Sequence, residues 1–516
     1  MNIGGVLESL RGITVDDAVS GRAAADARVT AIVYDSRRAI EGSVFVALRG
    51  LKADGAAFAT QAIARGAALI VAETPRPDTV TTPWLVVSDA RLALALLADA
   101  FFAHPSREMP VIGITGTNGK TTTSYLLAAI LDAAGLRAGM LGTVAYRVGD
   151  EEREASRTTP EAPDVQRLLR DMLDHGGKSA VMEVSSHALA MRRVDGMRFA
   201  AAVFTNLTRD HLDYHEDMEA YFLAKRRLFE MLPDGAPGIV NLDDPRGASL
   251  VETCTRPVTY SLTRAADVTA GPVEMTLQGL AFEVRTPAGS VALRSSLVGR
   301  PNAYNILAAA AAATAIGMPL DAIARGVASL DGVPGRFQVV SAPSDEVTVV
   351  VDYAHTDDAL RNLLETARPL TRRRLITVFG CGGDRDRTKR PLMGLVAARL
   401  SDVVVITSDN PRSEDPVRII DEIKRGIPAG SQTQGRTPDV RTIVDRTEAI
   451  ERAVALGEPG DLVLVAGKGH EKYQQIGARV LPFDDVEVAR AALARRGRPG
   501  SGPRASADGR RPSKAG

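Results

Sequence analysis

The sequence predicts an α/β protein of more than one domain, with a doubly wound sheet at its centre, and three observations lead there. The run Gly113-Ile114-Thr115-Gly116-Thr117-Asn118-Gly119-Lys120-Thr121-Thr122-Thr123 sets a glycine-rich turn between an apolar strand, Val111 to Ile114, and a helix, Thr121 to Ala134, with Gly135 as its left-handed stop. Short apolar runs at Ser179 to Val184, Ala200 to Thr205 and Gly238 to Asn241 follow, separated by helical or loop sequence, which is the rhythm of a doubly wound sheet. After Gly332-Val333-Pro334-Gly335 the rhythm restarts with Val347 to Asp352, Leu375 to Phe379, Val403 to Thr407 and Leu462 to Ala466.

At 516 residues the chain exceeds what one hydrophobic core supports, so two to four domains are expected. Residues 1–107 form a first block, with strands at Val44 to Ala47 and Leu69 to Ala72, an Ala-rich helix from Ala57 to Gly66, and a polar close at His104-Pro105-Ser106-Arg107. Residues 108–335 form the second block and 336–494 the third. From 495 to 516 basic, Gly, Pro and Ser residues prevail, which reads as a disordered basic tail. The 63 basic and 63 acidic side chains cancel, which argues against nucleic-acid or membrane-surface binding through a global positive field. Cys254 and Cys381 belong to no metal-spaced or disulfide-like cluster, as suits a reducing compartment. No basic-then-apolar leader opens the chain and no apolar run has the length of a membrane span, so a cytoplasmic protein is expected.

The turn at Gly113 to Thr123 has the chemistry of a phosphate loop. Glycines admit phosphate oxygens close to the backbone, the helix N-terminus offers N–H groups, Lys120 adds a point charge and Thr121 a hydroxyl for Mg2+. The strict Walker spacing wants glycine five positions before Gly119, where Ile114 stands. Two strand-end segments, Met182-Glu183-Val184-Ser185-Ser186-His187 and Thr205 to His215, supply a carboxylate and imidazoles to hold divalent cations over a triphosphate, although each alone is an ordinary strand cap. In the helix from Asp217 to Leu232, Lys225 falls near the centre of the stripe formed by Met218, Tyr221, Phe222, Leu228, Phe229 and Leu232. A lysine there either snorkels along apolar surface or, with a depressed pKa, reacts with CO2 to give a carbamate, an oxygen ligand for Mg2+. In the third block, polar turns follow the strands at Asp352 to Asp358, Gly380 to Pro391, Ser408 to Arg412 and Ala466 to Glu471. Arg390 and Arg412 suit carboxylates and Glu471 an ammonium, a mixture that fits a zwitterionic amino acid; solvated surface charge is the alternative for each arginine singly.

Together these motifs resemble the Mur ligases: TGTNGKTTT from Thr115, MEVSSHAL from Met182, TNLTRDHLDYH from Thr205, DYAHT from Asp352, GCGGDRDRTKRPLM from Gly380, DNPR from Asp409 and GKGHE from Gly467. The resemblance spans roughly residues 20 to 490. It implies three domains: an N-terminal one for the uridine end of the substrate, a central P-loop-type ATPase domain and a Rossmann-like C-terminal domain for the incoming amino acid. It implies that Gly116, Thr117, Asn118, Gly119, Lys120, Thr121 and Thr122 bind ATP phosphates, with Asn302, Arg336, Asp352 and His355 completing the nucleotide site across the domain junction. Thr121, Glu183, His211 and a carbamylated Lys225 would hold Mg2+, and Lys120, Lys225 and His211 would be catalytic. Ser36 would touch the UDP part, and Thr158, Thr159, Ser185 and Arg193 the muramoyl dipeptide. Arg390, Asp409, Asn410, Pro411, Arg412, Gly467 and Glu471 would hold meso-diaminopimelate. Met191 departs from the pattern where relatives commonly place a glutamine, and Asp54-Gly55-Ala56 where a histidine often follows the glycine.

The activity implied is ATP-dependent amide formation between UDP-N-acetylmuramoyl-L-Ala-D-Glu and meso-diaminopimelate through an acyl phosphate, by a monomer without nucleic-acid or membrane partners. A folylpolyglutamate synthetase-like enzyme shares the ATPase core but is not expected to carry DNPR or the N-terminal block. A P-loop motor or switch ATPase would show partner-stimulated turnover in place of ligation, and a catalytically silent binding module would not need the phosphate loop, metal residues and lysine together.

Overall fold

The computed structural model describes residues 1–17, 25–50, 54–428, 430 and 437–496. The chain divides into two compact units at Val333/Pro334, inside the Gly-Val-Pro-Gly punctuation.

The first unit contains two sheets. The five-stranded sheet has the order Thr14–Asp17, Trp84–Val87, Ala67–Ala72, Ser43–Val46, Ala31–Val33, parallel except at the first pair. Its four parallel strands are apolar on both faces because helices cover both. The helix expected from Ala57 to Gly66 is a 3-10 turn, Gly55–Phe58, followed by a short α-helix, Ala59–Ala64.

The large sheet of this unit has Val111–Thr115 at its heart. On one side lie Ser179–Glu183 and then Ala138–Leu141; on the other lie Phe199–Phe204, Pro237–Asn241, Arg256–Ser261 and Val268–Ala270, all parallel. The chain turns from one side to the other at Val111–Thr115, and such a reversal opens a crevice beyond the strand carboxyl ends. Antiparallel strands extend both flanks: Ala145–Val148 and Glu151–Glu154 at one end, and Glu274–Thr276, Gly279–Thr286 and Gly289–Ser295 at the other. Sequence reading did not anticipate these, since alternating patterns such as Leu280-Ala281-Phe282-Glu283-Val284 are short and lack a motif. The phosphate-loop helix, Lys120–Ala133, packs in a core shared with Arg300–Ala315, whose Ala308 to Ala313 are fully buried and let the helices approach closely.

The second unit carries a six-stranded sheet in the order Gln338–Val339, Thr348–Asp352, Leu462–Ala466, Leu375–Phe379, Val403–Ile406, Asp439–Thr442, parallel apart from the first strand. Helices on both faces bury the Val- and Ile-rich strands. The hairpin Tyr473–Ile476 with Arg479–Pro482 stands beside the strand ends, its Ile476 bridged to Arg412. The last helix, Asp485–Arg496, takes in residues 495 and 496, which composition had assigned to a tail; the rest of that tail lies outside the described residues. Among the described residues no helix is long and apolar enough to cross a membrane.

Candidate functional site

In the first unit the expected residues gather at the carboxyl ends of Phe199–Phe204, Val111–Thr115 and Ser179–Glu183. Gly116 has φ +147° and Gly119 φ +87°, a conformation that side chains rarely adopt, and a Cβ there would run into the Thr205 hydroxyl and the Asn305 amide respectively. The loop between them is pinned from the neighbouring strand end. Thr117 N donates to Asn206 O at 2.8 Å, Asn118 N to Asn206 Oδ1 at 2.9 Å, and Thr205 Oγ1 to Asn118 O at 2.6 Å. Two of the loop's N–H groups therefore shape the loop, and the first turn of the helix that Lys120 opens is the part suited to an anion.

Lys120 curls back over the loop, its Nζ donating to Gly116 O at 2.9 Å and Thr117 O at 2.8 Å. The Nζ of Lys225 reaches the same Gly116 carbonyl at 2.8 Å, from the helix Met218–Glu230. Lys225 is 1 % exposed, on the apolar stripe where helical projection placed it, and its Nζ lies 4.4 Å from the Tyr221 ring centroid. Burial, then the nearby Lys120 charge, pull its pKa well below the ordinary lysine value, with Asp210 opposing. Arg226 and Arg227 turn away, to Glu230 and Asp195.

Glu183 is 1 % exposed and surrounded by hydroxyls. Its Oε2 accepts from Thr121 Oγ1 at 3.1 Å and Thr143 Oγ1 at 3.0 Å, and its Oε1 from Thr143 N at 2.8 Å. Thr143 was missed by sequence reading, having no motif of its own. A buried carboxylate with two hydroxyls is a hard oxygen set, which fits Mg2+, an ion that keeps several of its waters. Among the described residues no group of three or more His, Cys, Asp or Glu is arranged as a ready cation cage.

His211 sits at φ +55°, and its ring meets His187 edge-on at 4.8 Å and Tyr221 at 6.0 Å. His187, Tyr214 and His215 thus join His211, Tyr221 and Lys225 in one aromatic box. Burial first and His211 second push the His187 pKa down to about 4, and burial does the same to His215, whose Nε2 lies 3.0 Å from Ser186 Oγ.

The residues assigned to the muramoyl dipeptide cluster beside Glu183. Thr158 Oγ1 is 3.0 Å from Thr143 Oγ1, Thr159 Oγ1 donates to Glu183 O at 2.9 Å, and Ser185 caps the helix Ser186–Ala190. Arg193 Nη1 donates to Thr159 O at 2.9 Å and pairs with Glu161 at 2.8 Å. Ser36 belongs to the five-stranded sheet's surroundings, where its hydroxyl donates to Gln61 Oε1 at 2.6 Å. Asn302 is tied to the phosphate-loop helix through Asn305, which donates to Asn302 Oδ1 at 2.9 Å and accepts from Thr123.

In the second unit the turns after four adjacent strands carry the remaining candidates. Asp352 accepts from Phe337 N and Ala354 N, each at 2.7 Å, and burial raises its pKa against the pull of Arg336. Arg336 stacks 4.6 Å above the Tyr353 ring, and His355 Nδ1 lies 3.0 Å from Tyr353 O. Arg412, at φ +51°, donates through Nη1 to Gly383 O at 2.7 Å, while its backbone N–H bonds Gln475 O of the hairpin. Pro411 O accepts from Glu414 N at 3.0 Å. Arg390 is fully buried, its guanidinium taken by Glu414 at 2.9 Å, Glu422 at 2.7 Å and Gly382 O, with only Nε lacking a partner. Its first task in this structure is to hold the turn Gly380 to Arg387 against Glu414, a residue that sequence reading overlooked.

Asp409, Asn410 and Glu471 converge on Lys468, and Gly467, at φ +121°, lies between the strand and this cluster. Lysine and arginine counter-charges pull Asp409 below the ordinary carboxylate value despite burial, whereas burial raises Glu471. Arg446, which no motif marks, is buried behind them, paired with Asp485 at 2.7 Å and donating to Ala466 O at 3.1 Å.

The chain matches the Mur ligase family catalytic domain over residues 28–102, the Mur ligase middle domain over 114–313 and the Mur ligase glutamate ligase domain over 335–469. It is 48 % identical over 478 residues to the UDP-N-acetylmuramoyl-L-alanyl-D-glutamate–2,6-diaminopimelate ligase of Geobacillus kaustophilus, covering 91 % of this chain and 96 % of that one. It is 47 % identical over 481 residues to the same-named ligase of Geobacter metallireducens, covering 90 % and 94 %. A solved structure of such a ligase superimposes with a TM-score of 0.66 at 35 % identity, covering 93 % of this chain and 97 % of that one.

Proposed function

This chain belongs to the Mur ligase family, and from that premise we propose that it joins meso-2,6-diaminopimelate to the D-glutamate γ-carboxylate of UDP-N-acetylmuramoyl-L-Ala-D-Glu at the expense of ATP. The observation that carries this reading is the coexistence of a phosphate loop beside a buried Glu183 in one unit with the Asp409 to Arg412 and Gly467 to Glu471 turns in the other. A motor ATPase has no use for the second set, and a folylpolyglutamate synthetase-like enzyme is not expected to carry Asp409-Asn410-Pro411-Arg412.

In this reading Gly116, Thr117, Asn118, Gly119, Lys120, Thr121 and Thr122 receive the ATP phosphates, and Lys120 swings its charge from the loop carbonyls to the transferring group. The γ-carboxylate oxygen attacks the γ-phosphorus and ADP leaves, giving an acyl phosphate. The diaminopimelate amine, having lost its proton, attacks the acyl carbon and expels Pi. Thr158, Thr159, Ser185 and Arg193 orient the dipeptide, and Ser36 meets the uridine end. Arg412 takes a diaminopimelate carboxylate and Glu471 an ammonium, with Asp409, Asn410, Pro411 and Gly467 forming the walls and Arg390 bracing them. Asn302, Arg336, Asp352 and His355 serve the nucleotide.

Lys225, whose burial favours the uncharged amine, attacks CO2 through that form, making an N–C bond and releasing a proton. The carbamate, Glu183, His211 and the Thr121 hydroxyl are the groups that would hold Mg2+, which when bound supplies positive charge to phosphate oxygens. We place the enzyme in the cytoplasm as a monomer acting on small molecules alone. The test is Pi release with UDP-N-acetylmuramoyl-L-Ala-D-Glu and a panel of amino acids. Release that requires meso-diaminopimelate is expected; equal turnover with L-lysine overturns the substrate assignment.

A further inference from the structure

We infer that Lys468 is a positioning residue of the amino-acid pocket, holding the Glu471 carboxylate ionised and aimed for the incoming ammonium. The inference rests on the function proposed above. Lys468 is fully buried, yet its Nζ is surrounded by polar groups of the candidate site: Asn410 Oδ1 at 3.0 Å, Asp409 Oδ1 at 3.3 Å and Glu471 Oε2 at 3.4 Å. Its fourth neighbour is the Tyr473 ring, whose centroid is 5.5 Å away. The ammonium thus ties the turn after Val403–Ile406 to the turn after Leu462–Ala466.

The geometry also fixes which way the site amide points. Asn410 Oδ1 accepts from Lys468 and from Gln475 N at 2.9 Å, so its Nδ2 is turned outward and donates to Glu471 Oε2 at 2.9 Å. One carboxylate oxygen of Glu471 is therefore held by both Lys468 and Asn410, and the other is left for a ligand cation. Without Lys468, Asn410 loses the partner that sets its amide, and Glu471 faces the like charge of Asp409 in a desolvated place. The Asp409 charge then opposes ionisation of Glu471 with no cation in hydrogen-bond contact to offset it. The groups that face Glu471 electrostatically are Lys468 and Arg446 as cations and Asp409, Tyr353 and Tyr473 as acids. Lys468 is the cation in hydrogen-bond contact, because Arg446 spends its guanidinium on Asp485 and backbone carbonyls.

The test compares wild type, Lys468→Met, Glu471→Gln and the double variant in steady-state ligation, varying diaminopimelate and ATP separately. Lys468→Met is expected to raise KM for diaminopimelate about 10- to 100-fold, the worth of one charge-assisted hydrogen bond, with KM for ATP little changed. Its kcat/KM for diaminopimelate should also fall away at higher pH on the acid limb, since Glu471 would take up a proton more readily. In the Glu471→Gln background the Lys468→Met effect should largely vanish. An equal effect in both backgrounds, or KM values for both substrates rising together, overturns the inference. If Lys468→Met melts without cooperativity, Lys468→Gln replaces it, keeping a donor and removing the charge. A folded Lys468→Gln enzyme with wild-type KM and acid limb, or collapse of both variants, would assign Lys468 to stability alone. A wild-type enzyme inactive with diaminopimelate would instead overturn the function from which the inference starts.

Discussion

Two lysine amino groups meet at the Gly116 carbonyl in this protein, and their environments assign them different work. Lys120 bonds two loop carbonyls from the first turn of its helix, and in the proposed function it turns from them to the phosphates. Lys120→Ala should lower ligation about 10²- to 10³-fold, the usual loss on removing a preorganised charge donor, while the circular dichroism melt is retained. A folded variant with near wild-type Pi release would refute the phosphate assignment. Lys225 lies in an apolar stripe with its basicity suppressed by burial and by Lys120. Lys225→Ala should be severely impaired and partly restored by short carboxylates, and stripping CO2 from the buffer should reversibly lower wild-type activity. An unmodified amine in an active, metal-loaded crystal would contradict this. For Arg412, the residue held at φ +51° between Gly383 and the hairpin, replacement by alanine should raise KM for meso-diaminopimelate steeply. An unpaired charge in a desolvated pocket costs about 3 to 5 kcal/mol, at least a hundredfold in affinity, and ATP should be much less affected.

At the scale of elements, the turns at the strand ends are held by charges from elsewhere in the sequence. Arg390 stands at the start of the helix Lys389–Leu400 and draws in Glu414 and Glu422, one from the loop before the helix Pro416–Lys424 and one from within it. The hydrogen bond from Arg390 holds the Glu414 carboxyl down to about 2, against its ordinary 4.5. A value below that of the unfolded chain means that the stabilisation is complete above pH 4.5 and is lost as pH falls toward 2. Urea unfolding of Glu414→Gln should therefore show a lower midpoint at pH 7 and a flatter decline through the acid range than wild type. Parallel declines would show that this pair does not govern acid stability. The elements themselves were largely legible: Leu375–Phe379 and Leu462–Ala466 fall where their apolar runs place them, and the helix expected from Asp217 to Leu232 runs from Met218 to Glu230, with Asp217 as its cap. The antiparallel strands from residue 274 to 295 were not, because their half-buried pattern acquires meaning only beside the strands they extend.

At the scale of the molecule, each unit has its own sheet ends and its own set of candidate residues, and one buried ion pair belongs to the second unit alone. Arg446 and Asp485 are both fully buried and join the helix Arg446–Leu456 to the last described helix. Asp485→Ala leaves a buried guanidinium without its partner and should cost about 3 to 5 kcal/mol. The only tryptophan, Trp84, is buried in the first unit, so its fluorescence follows that unit. Calorimetry of Asp485→Ala should show a transition moved to lower temperature, with the Trp84 transition moving less. Equal shifts by both probes would mean that the two units unfold as one.

What the sequence by itself determined is local in origin. A phosphate loop needs closely spaced glycines, a lysine and a hydroxyl in one short run, and Gly116 to Thr122 spell that pattern; a helix with a buried face reveals its lysine by period, and Lys225 lies on that face. What only the tertiary structure decided is where charges from distant segments meet. Thr143 closes on Glu183 across 40 residues, and Asp485 on Arg446 across 39, with no spacing to announce either contact. The same holds for Lys468, legible as one letter of a motif but identifiable as a buried cation only once the Asp409 and Glu471 turns are folded onto it. The reason is physical: backbone propensity and hydrophobic period act between neighbours in sequence, whereas burial, and with it the strength and sign of every charge interaction, is a property of the packed whole.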